Sequence, residues 1–227
     1  MLFKKIIIKM SEIKILEISD INETLIETIK DFSLLPNKRI GWNYPLDYSF
    51  LANEFTKIEN SINNKMKILD IGCGPGAIHG YLENKYNINI EGIDMQHWEK
   101  DYVDYIGNFL DDKLINNEYD IIYSISAFEH QSKEEHIKCI EKSKRLLKKG
   151  GYLFVTAAVC EKTNNSKNQL NLSLNELEEI YSCDFKKNYN IKNINEDYKQ
   201  NFKDDLIKRY GNDSVDFLTF GYMYKKE

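Results

Sequence analysis

Three glycines at alternate positions, Gly72, Gly74 and Gly76, follow the apolar run Ile68-Leu69-Asp70-Ile71, whose acid stands two residues before the first glycine. An apolar run of this kind reads as a strand buried on both faces. The glycines let the chain turn sharply and keep Cβ atoms out of a ligand's way. The next segment, Ala77 to Tyr86, can be helical. Its first turn would then aim unpaired amide groups and the positive end of a dipole at whatever lies over the glycine turn. A nucleotide-type cofactor with a carboxylate or phosphate suits that place. Two further groups with chemical potential lie downstream: Asp94 at the end of Glu91-Gly92-Ile93, and the pair Glu129-His130.

The elements that must position these residues alternate. Strands are predicted over Lys67 to Ile71, Ile88 to Ile93, Tyr102 to Ile106, Tyr119 to Ser126 and Tyr152 to Ala157, with helical segments between them, the pattern of an α/β fold with a mostly parallel sheet. A capping box at Ser132-Lys133-Glu134-Glu135 opens a helix with Ile137, Ile140 and Leu147 facing inward, loaded with lysines from Lys144 to Lys149 and stopped by Gly150. Beyond it, Glu161 to Leu170 reads as a polar loop. A second capping box at Ser173 to Glu176 opens a helix to about Ser182, Glu196 to Tyr210 a further one ended by Gly211, and Val215 to Tyr224 is an aromatic strand.

The 227 residues are 42% hydrophobic, enough for one sizeable core, and the expected organisation is one domain. It comprises a helical or cap segment at 1–65, a cofactor-binding core at 66–157, a substrate lid at 158–214 and a last strand at 215–227. No apolar run is long enough to insert in a membrane, and Met1 to Met10 lacks the features of a secretory signal. Cys73, Cys139, Cys160 and Cys183 fall in no metal-like spacing, so no metal and a reducing, cytoplasmic compartment are expected. The net charge of −5 is spread among intermingled acids and lysines, which gives no basic stripe for nucleic acid.

Asp70-x-Gly72-x-Gly74-x-Gly76 resembles the first motif of class I S-adenosylmethionine-dependent methyltransferases, and Asp94 looks like that family's ribose-binding acid. A carboxylate suits that role because it can accept both hydroxyl protons of a ribose. Tyr119 to Ser126 resembles the fourth-strand motif, and Leu146 to Leu153 the junction leading into strand five. These landmarks cover residues 66 to 157. The resemblance implies a Rossmann-like seven-stranded sheet, mostly parallel with an antiparallel last strand and helices on both faces. It also implies S-adenosyl-L-methionine as cofactor and S-adenosyl-L-homocysteine as product. Asp70 and the Gly72 to Gly76 turn would pass beneath the methionine part, Asp94 would hold the ribose, and Met95 and Phe109 would flank the adenine. Asn108 stands where the family has an aspartate for the adenine amino group. Ser124 would offer backbone near the cofactor's amino group. Met95 and Phe109 as plain core, and Asn108 as a turn residue, are the alternatives.

With a sulfonium as leaving group, the protein has chiefly to aim a nucleophile and exclude water. An alcohol acceptor also needs a base, and His130, with Glu129 beside it, is the candidate; a helix-capping or packing role is the alternative. Tyr44-Pro45 after Trp42 resembles a Trp-x-Tyr-Pro segment of methyltransferases associated with glycan and secondary-metabolite modification. Arg39 could meet an anionic group, and Tyr44 and Tyr48 could close over a sugar, or simply pack the N-terminal helices. His79, His97 and His136 read as structural or exposed. The expected function is O-methylation of a small molecule or surface-glycan precursor, at a sugar hydroxyl or phospho-group oxygen. The competing readings are an NAD-dependent oxidoreductase and a cofactor-binding partner subunit without catalysis. Oligomeric state and acceptor identity are not encoded in any motif.

Overall fold

The structure is a computed structural model that describes residues 11–33, 44–98, 102–111, 118–160, 164–166, 169–182, 204 and 218–227. Arg39, the start at 1–10, the helix expected at Glu196 to Tyr210 and most of the expected lid lie outside them.

A mixed sheet forms the centre. Its strands are β1 (Ser11–Ile15), β2 (Ile68–Ile71), β3 (Ile90–Asp94), β4 (Tyr105–Ile106), β5 (Tyr119–Ile125), β6 (Leu147–Cys160), β7 (Asn164–Ser166), β8 (Gln169–Ser173) and β9 (Leu218–Lys225). The main path runs β1-β9-β6-β5-β2-β3-β4. The pairs from β4 through β6 are parallel, and β9 lies antiparallel to β6, as expected of the last strand. β2 is buried at all four positions, as a central parallel strand covered on both faces must be.

The helices are α1 (Glu23–Lys30), α2 (Tyr44–Lys57), α3 (Ala77–Tyr86), α4 (Lys133–Leu146) and α5 (Leu174–Tyr181). Strand alternation shows which face each covers. Phe55 of α2 packs edge-on against Tyr123 of β5 and beside Phe154 of β6, and α3 lies on the same face through His79 and Asp70. On the other face, Tyr181 of α5 packs against Phe220 and Tyr222 of β9, and Lys144 of α4 lies over Tyr222 and Tyr224. Burial of these apolar faces joins one continuous cluster from Ile13 to Tyr222. Among the described residues no helix is long and apolar enough to cross a membrane.

Three local expectations are corrected. Ser11–Ile15 is a strand, not part of a helical cap, because Ile13 and Ile15 alternate inward and pair with β9. The capped helix α4 stops at Leu146, short of Gly150, because Leu147 is already extended and the tail captures the segment through Gly150 N–H to Lys226 O and Lys226 N–H to Gly151 O. The expected loop Glu161 to Leu170 contains β7 and the start of β8, which pair antiparallel, and β8 then joins β6 at Val159–Leu172. A hairpin satisfies the backbone of a polar segment as well as water does.

Candidate active site

The carboxyl ends of β2, β3 and β5 surround a cavity of about 380 Å³. On the β2 side the chain takes positive φ at Gly72, Gly74 and Gly76, and a Cβ at Gly72 would lie 2.3 Å from the Cβ of Ala127. The amides of Gly72 and Cys73 both reach the Ile93 carbonyl, which ties the turn to β3. Asp94 completes this edge. Its Oδ2 accepts Gly74 N–H at 2.9 Å and its Oδ1 accepts Gln96 N–H at 2.8 Å. One backbone donor per oxygen fixes the carboxylate and leaves acceptor capacity on both oxygens. Met95, 65% exposed, and the buried Phe109 line the cavity together with Trp98 and Phe128, and the rings of Phe109 and Phe128 are stacked. The indole N–H of Trp98 is buried with no partner among the described residues. Lys142 of α4 supports the Phe109 wall from outside, donating to the carbonyls of Phe109 and Asp111.

Of the residues expected to hold the cofactor, Gly72, Gly74, Asp94, Met95 and Phe109 line this cavity, and so do Tyr44 and His130. Asp70 does not. Strand alternation turns it to the α3 face, where its Oδ2 lies 3.1 Å from His79 Nδ1, buried beneath the turn. Gly76 starts α3 outside the cavity, against Tyr102. Asn108 is a turn residue: its Oδ1 accepts Leu110 N–H. Ser124 is fully buried and donates to the Ile71 carbonyl; it is Ser126, two residues on, that reaches the cavity, at φ +48. Tyr48 is buried behind Tyr44, with the two rings stacked 5.1 Å apart. Glu129 also faces inward and accepts Ala158 N–H at 2.7 Å, while His130 at the end of the short turn Phe128–His130 is exposed at the rim. Trp98, Gln96, Ser126 and Gln131 line the site without having been expected there. Trp98 stands four residues after Asp94, a spacing that could have drawn attention to it. Nothing in the sequence announces the positive φ of Ser126.

The wall at the end of β5 carries the polar groups of Tyr44 and Ser126. Ser126 donates to Asp47 Oδ2 at 2.8 Å, linking β5 to α2. Burial, then the charges of Asp47, Glu129 and Asp94, push the Tyr44 phenol up to about 12, so it stays a neutral hydroxyl. Below the glycine turn, burial alone would lower His79, but hydrogen bonds and charges from Asp70 and Glu83 outweigh it and raise His79 to about 9. Burial pushes the Asp70 carboxyl upward, against the pull of His79. His136 is the opposite case: burial lowers it to about 4, and the neutral ring meets the Tyr181 hydroxyl at 2.7 Å. His97 is exposed.

A mostly parallel sheet ending in a glycine turn and a backbone-held aspartate around one cavity is the architecture of the class I S-adenosylmethionine-dependent methyltransferases. The model of the mycolic acid cyclopropane synthetase family matches residues 54–182, more than half of the chain, and the chain belongs to that family. A phosphoethanolamine N-methyltransferase from Plasmodium falciparum (isolate 3D7) is 28% identical over 127 residues, which are 51% of this chain and 48% of that protein. The chain thus spans about half the length of this curated relative. Among solved structures, a Galdieria sulphuraria protein described as a candidate sarcosine dimethylglycine methyltransferase superposes with a TM-score of 0.53 at 18% identity, over 79% of this chain and 84% of the other. A cyclopropane synthase from Mycobacterium tuberculosis superposes with 0.52 at 15% identity, over 92% and 98%. These two share the fold. The oxidoreductase reading does not survive the family match.

Proposed function

We propose that this protein transfers the methyl group of S-adenosylmethionine to a hydroxyl of a small molecule or surface-glycan precursor, in a single domain working in a reducing cytoplasm. The observation that carries the cofactor half of this reading is Asp94, whose two oxygens are each fixed by one backbone amide at the mouth of the cavity. Two ribose hydroxyls can donate to the acceptor capacity that remains. Gly72 and Gly74 leave room beside it, and Met95, Phe109 and Trp98 offer apolar surface to an adenine. When bound, the cofactor supplies a methyl group on a sulfonium, so the chain itself need only aim the acceptor and take its proton. His130 at the rim has the chemistry to take that proton. Glu129, held by Ala158 N–H, keeps the Phe128–His130 turn in place. The lining carries no lysine or arginine among the described residues, which favours a neutral hydroxyl over a phospho-group oxygen unless Arg39 joins the site. Segment 158–214 acts as the lid in this reading, anchored by the Lys133–Glu176 ion pair at 2.7 Å and by Tyr181 on His136.

A second reading, methylation of an amine, draws on the carboxylates of Asp47 and Glu129 around Tyr44 and on the N-methyltransferase relative. Calorimetry with S-adenosylhomocysteine, then turnover with radiolabelled cofactor on paired hydroxyl and amine acceptors, tests both. Binding followed by label in a hydroxyl product is the expected result. Label only in amines selects the second reading, and no heat of binding with folded protein overturns the assignment of the cavity.

A further inference from the structure

Tyr102 lies outside the cavity, yet several elements of the cofactor half converge on it. A Cβ at Gly76 would lie 2.0 Å from Tyr102 Cδ2, and one at Gly80 would lie 2.3 Å from its hydroxyl oxygen. At Gly92 of β3 a Cβ would lie 1.8 Å from the Tyr102 carbonyl oxygen, which also accepts the Cys73 thiol proton at 3.3 Å. The ring is tilted against His79, centroids 4.9 Å apart, and His79 in turn holds Asp70 directly beneath the glycine turn. Two residues on, Asp104 locks the same segment to β3, its amide reaching the Gly92 carbonyl and its carboxylate accepting Gly92 N–H at 2.7 Å. The last glycine of the turn, and the glycine one helical turn later, are therefore open on the side that Tyr102 fills. Side chains at either position would expel it.

We propose that Tyr102 is a positioning residue for cofactor binding: its ring wedges between Gly76, Gly80 and His79 and buttresses the glycine turn from the side opposite the ligand. The inference rests on the cofactor reading given above and extends it to a residue that touches no cofactor. Hydrogen bonds tie the front of the turn to β3 through Ile93 and Asp94, but at its back Gly76 has positive φ and no side chain of its own, so its geometry there depends on what it packs against. Removing the ring takes away the support behind Gly76, and the turn, still bonded to Ile93 and Asp94 at Gly72 and Gly74, shifts relative to the cavity. The loss then falls on cofactor affinity and not on the acceptor or the proton transfer.

The test uses the full chain with Tyr102→Ala and Tyr102→Phe. Tyr102→Ala is expected to weaken S-adenosylhomocysteine binding and raise the KM for S-adenosylmethionine by about tenfold, with the acceptor KM and kcat at saturating cofactor unchanged. Tyr102→Phe, which keeps the ring, restores both. Tyr102→Leu takes the place of the alanine variant if that one does not fold. A variant lacking the ring that binds S-adenosylhomocysteine as tightly as wild type, whatever its Tm, overturns the proposal, and so does a change confined to the acceptor KM. Failure of wild type to bind S-adenosylhomocysteine would instead sink the cofactor reading, so the two failures are distinct.

Discussion

Across the cavity, the side proposed for the cofactor and the side proposed for the acceptor differ in how far apart in the chain their contacts reach. On the cofactor side, Asp94 is held by Gly74 and Gln96, and the glycine turn by Ile93. All lie within one strand–turn–helix–strand unit, and most of the bonds are to backbone amides. On the acceptor side, Ser126 bonds Asp47 of a helix near the start of the chain, Glu129 bonds Ala158, and His136 meets Tyr181. Here side chains from four separate segments share the work. Local backbone geometry fixes the first region. Long-range packing fixes the second, so substitutions there can reshape that wall while the glycine turn and Asp94 stay as they are.

The contrast is broken most sharply at His130. If the two sides are independent, His130→Ala lowers kcat by ~10²–10⁴-fold for a hydroxyl acceptor and leaves the S-adenosylhomocysteine Kd as in wild type. Calorimetry alongside turnover checks this, and a Kd that rises as kcat falls would show the sides to be coupled. The reciprocal change is Asp94→Ala. It removes both backbone bonds at the mouth and, on the reading proposed above, the acceptor of two ribose hydroxyls. At roughly 1.5–3 kcal/mol for each of two hydrogen bonds to a charged group, cofactor binding should weaken by about 10²–10⁴-fold, while kcat at saturation moves little.

How much could be read from the sequence follows the same division. The glycine turn, Asp94, the Ser132 capping box and the order of strands were legible because each is a short-range pattern with its own physical cause. The misplaced residues show where that stops. Asp70 belongs to the motif by spacing, but alternation in a strand buried on both faces sends its carboxylate to His79 and away from the cavity. Ser124 lies inside β5 and bonds the neighbouring strand, whereas Ser126 lies just past the strand's end at positive φ and reaches the site. The wedge made by Tyr102 leaves a trace in the sequence only as glycines with no evident reason, because it depends on a loop returning to α3. Ser11-Glu-Ile-Lys-Ile did carry an alternating pattern, but five residues without a partner strand in view do not declare a sheet edge.

Two buried histidines sharpen the comparison at intermediate magnitude. His79, under the cofactor side, is raised to about 9 once the pull of Asp70 and Glu83 overcomes burial. Its contribution to stability is complete below about pH 6.5 and fades as the pH climbs through 9. His136, under α5, is lowered to about 4 by burial, so its contribution is complete above about pH 6.5 and fades as the pH falls towards 4. Each tenfold change in proton affinity between the folded and unfolded chain is worth about 1.4 kcal/mol, which makes the His136 effect roughly 3 kcal/mol. Urea denaturation across this range should show His136→Gln flattening the acid limb and His79→Gln the alkaline limb. Exchange of those two outcomes would refute the assignment of charge to one side and neutrality to the other.

The smallest effect separates the two helices that open on serine. Ser132 caps α4, its Oγ accepting Glu135 N–H while Glu135 accepts Ser132 N–H at 3.0 Å. Ser173 opens α5 with its N–H and hydroxyl both on the Glu176 carboxylate. Loss of either cap should cost about 1 kcal/mol locally. The helix α4 is held along its length by buried Cys139, Ile140 and Leu146 and by Lys142 on the Phe109 loop, so Ser132→Ala spreads its cost over the whole fold and appears as a lowered Tm. The helix α5 buries only Leu177 and Tyr181 and is tied to α4 at its start by Glu176 on Lys133. Ser173→Ala should therefore leave Tm nearly unchanged while amide exchange in 174–177 quickens, the behaviour of a segment that opens on its own. Equal Tm losses in the two variants would mean that α5 folds as one unit with the sheet, and the independence of the proposed acceptor side would have to be given up.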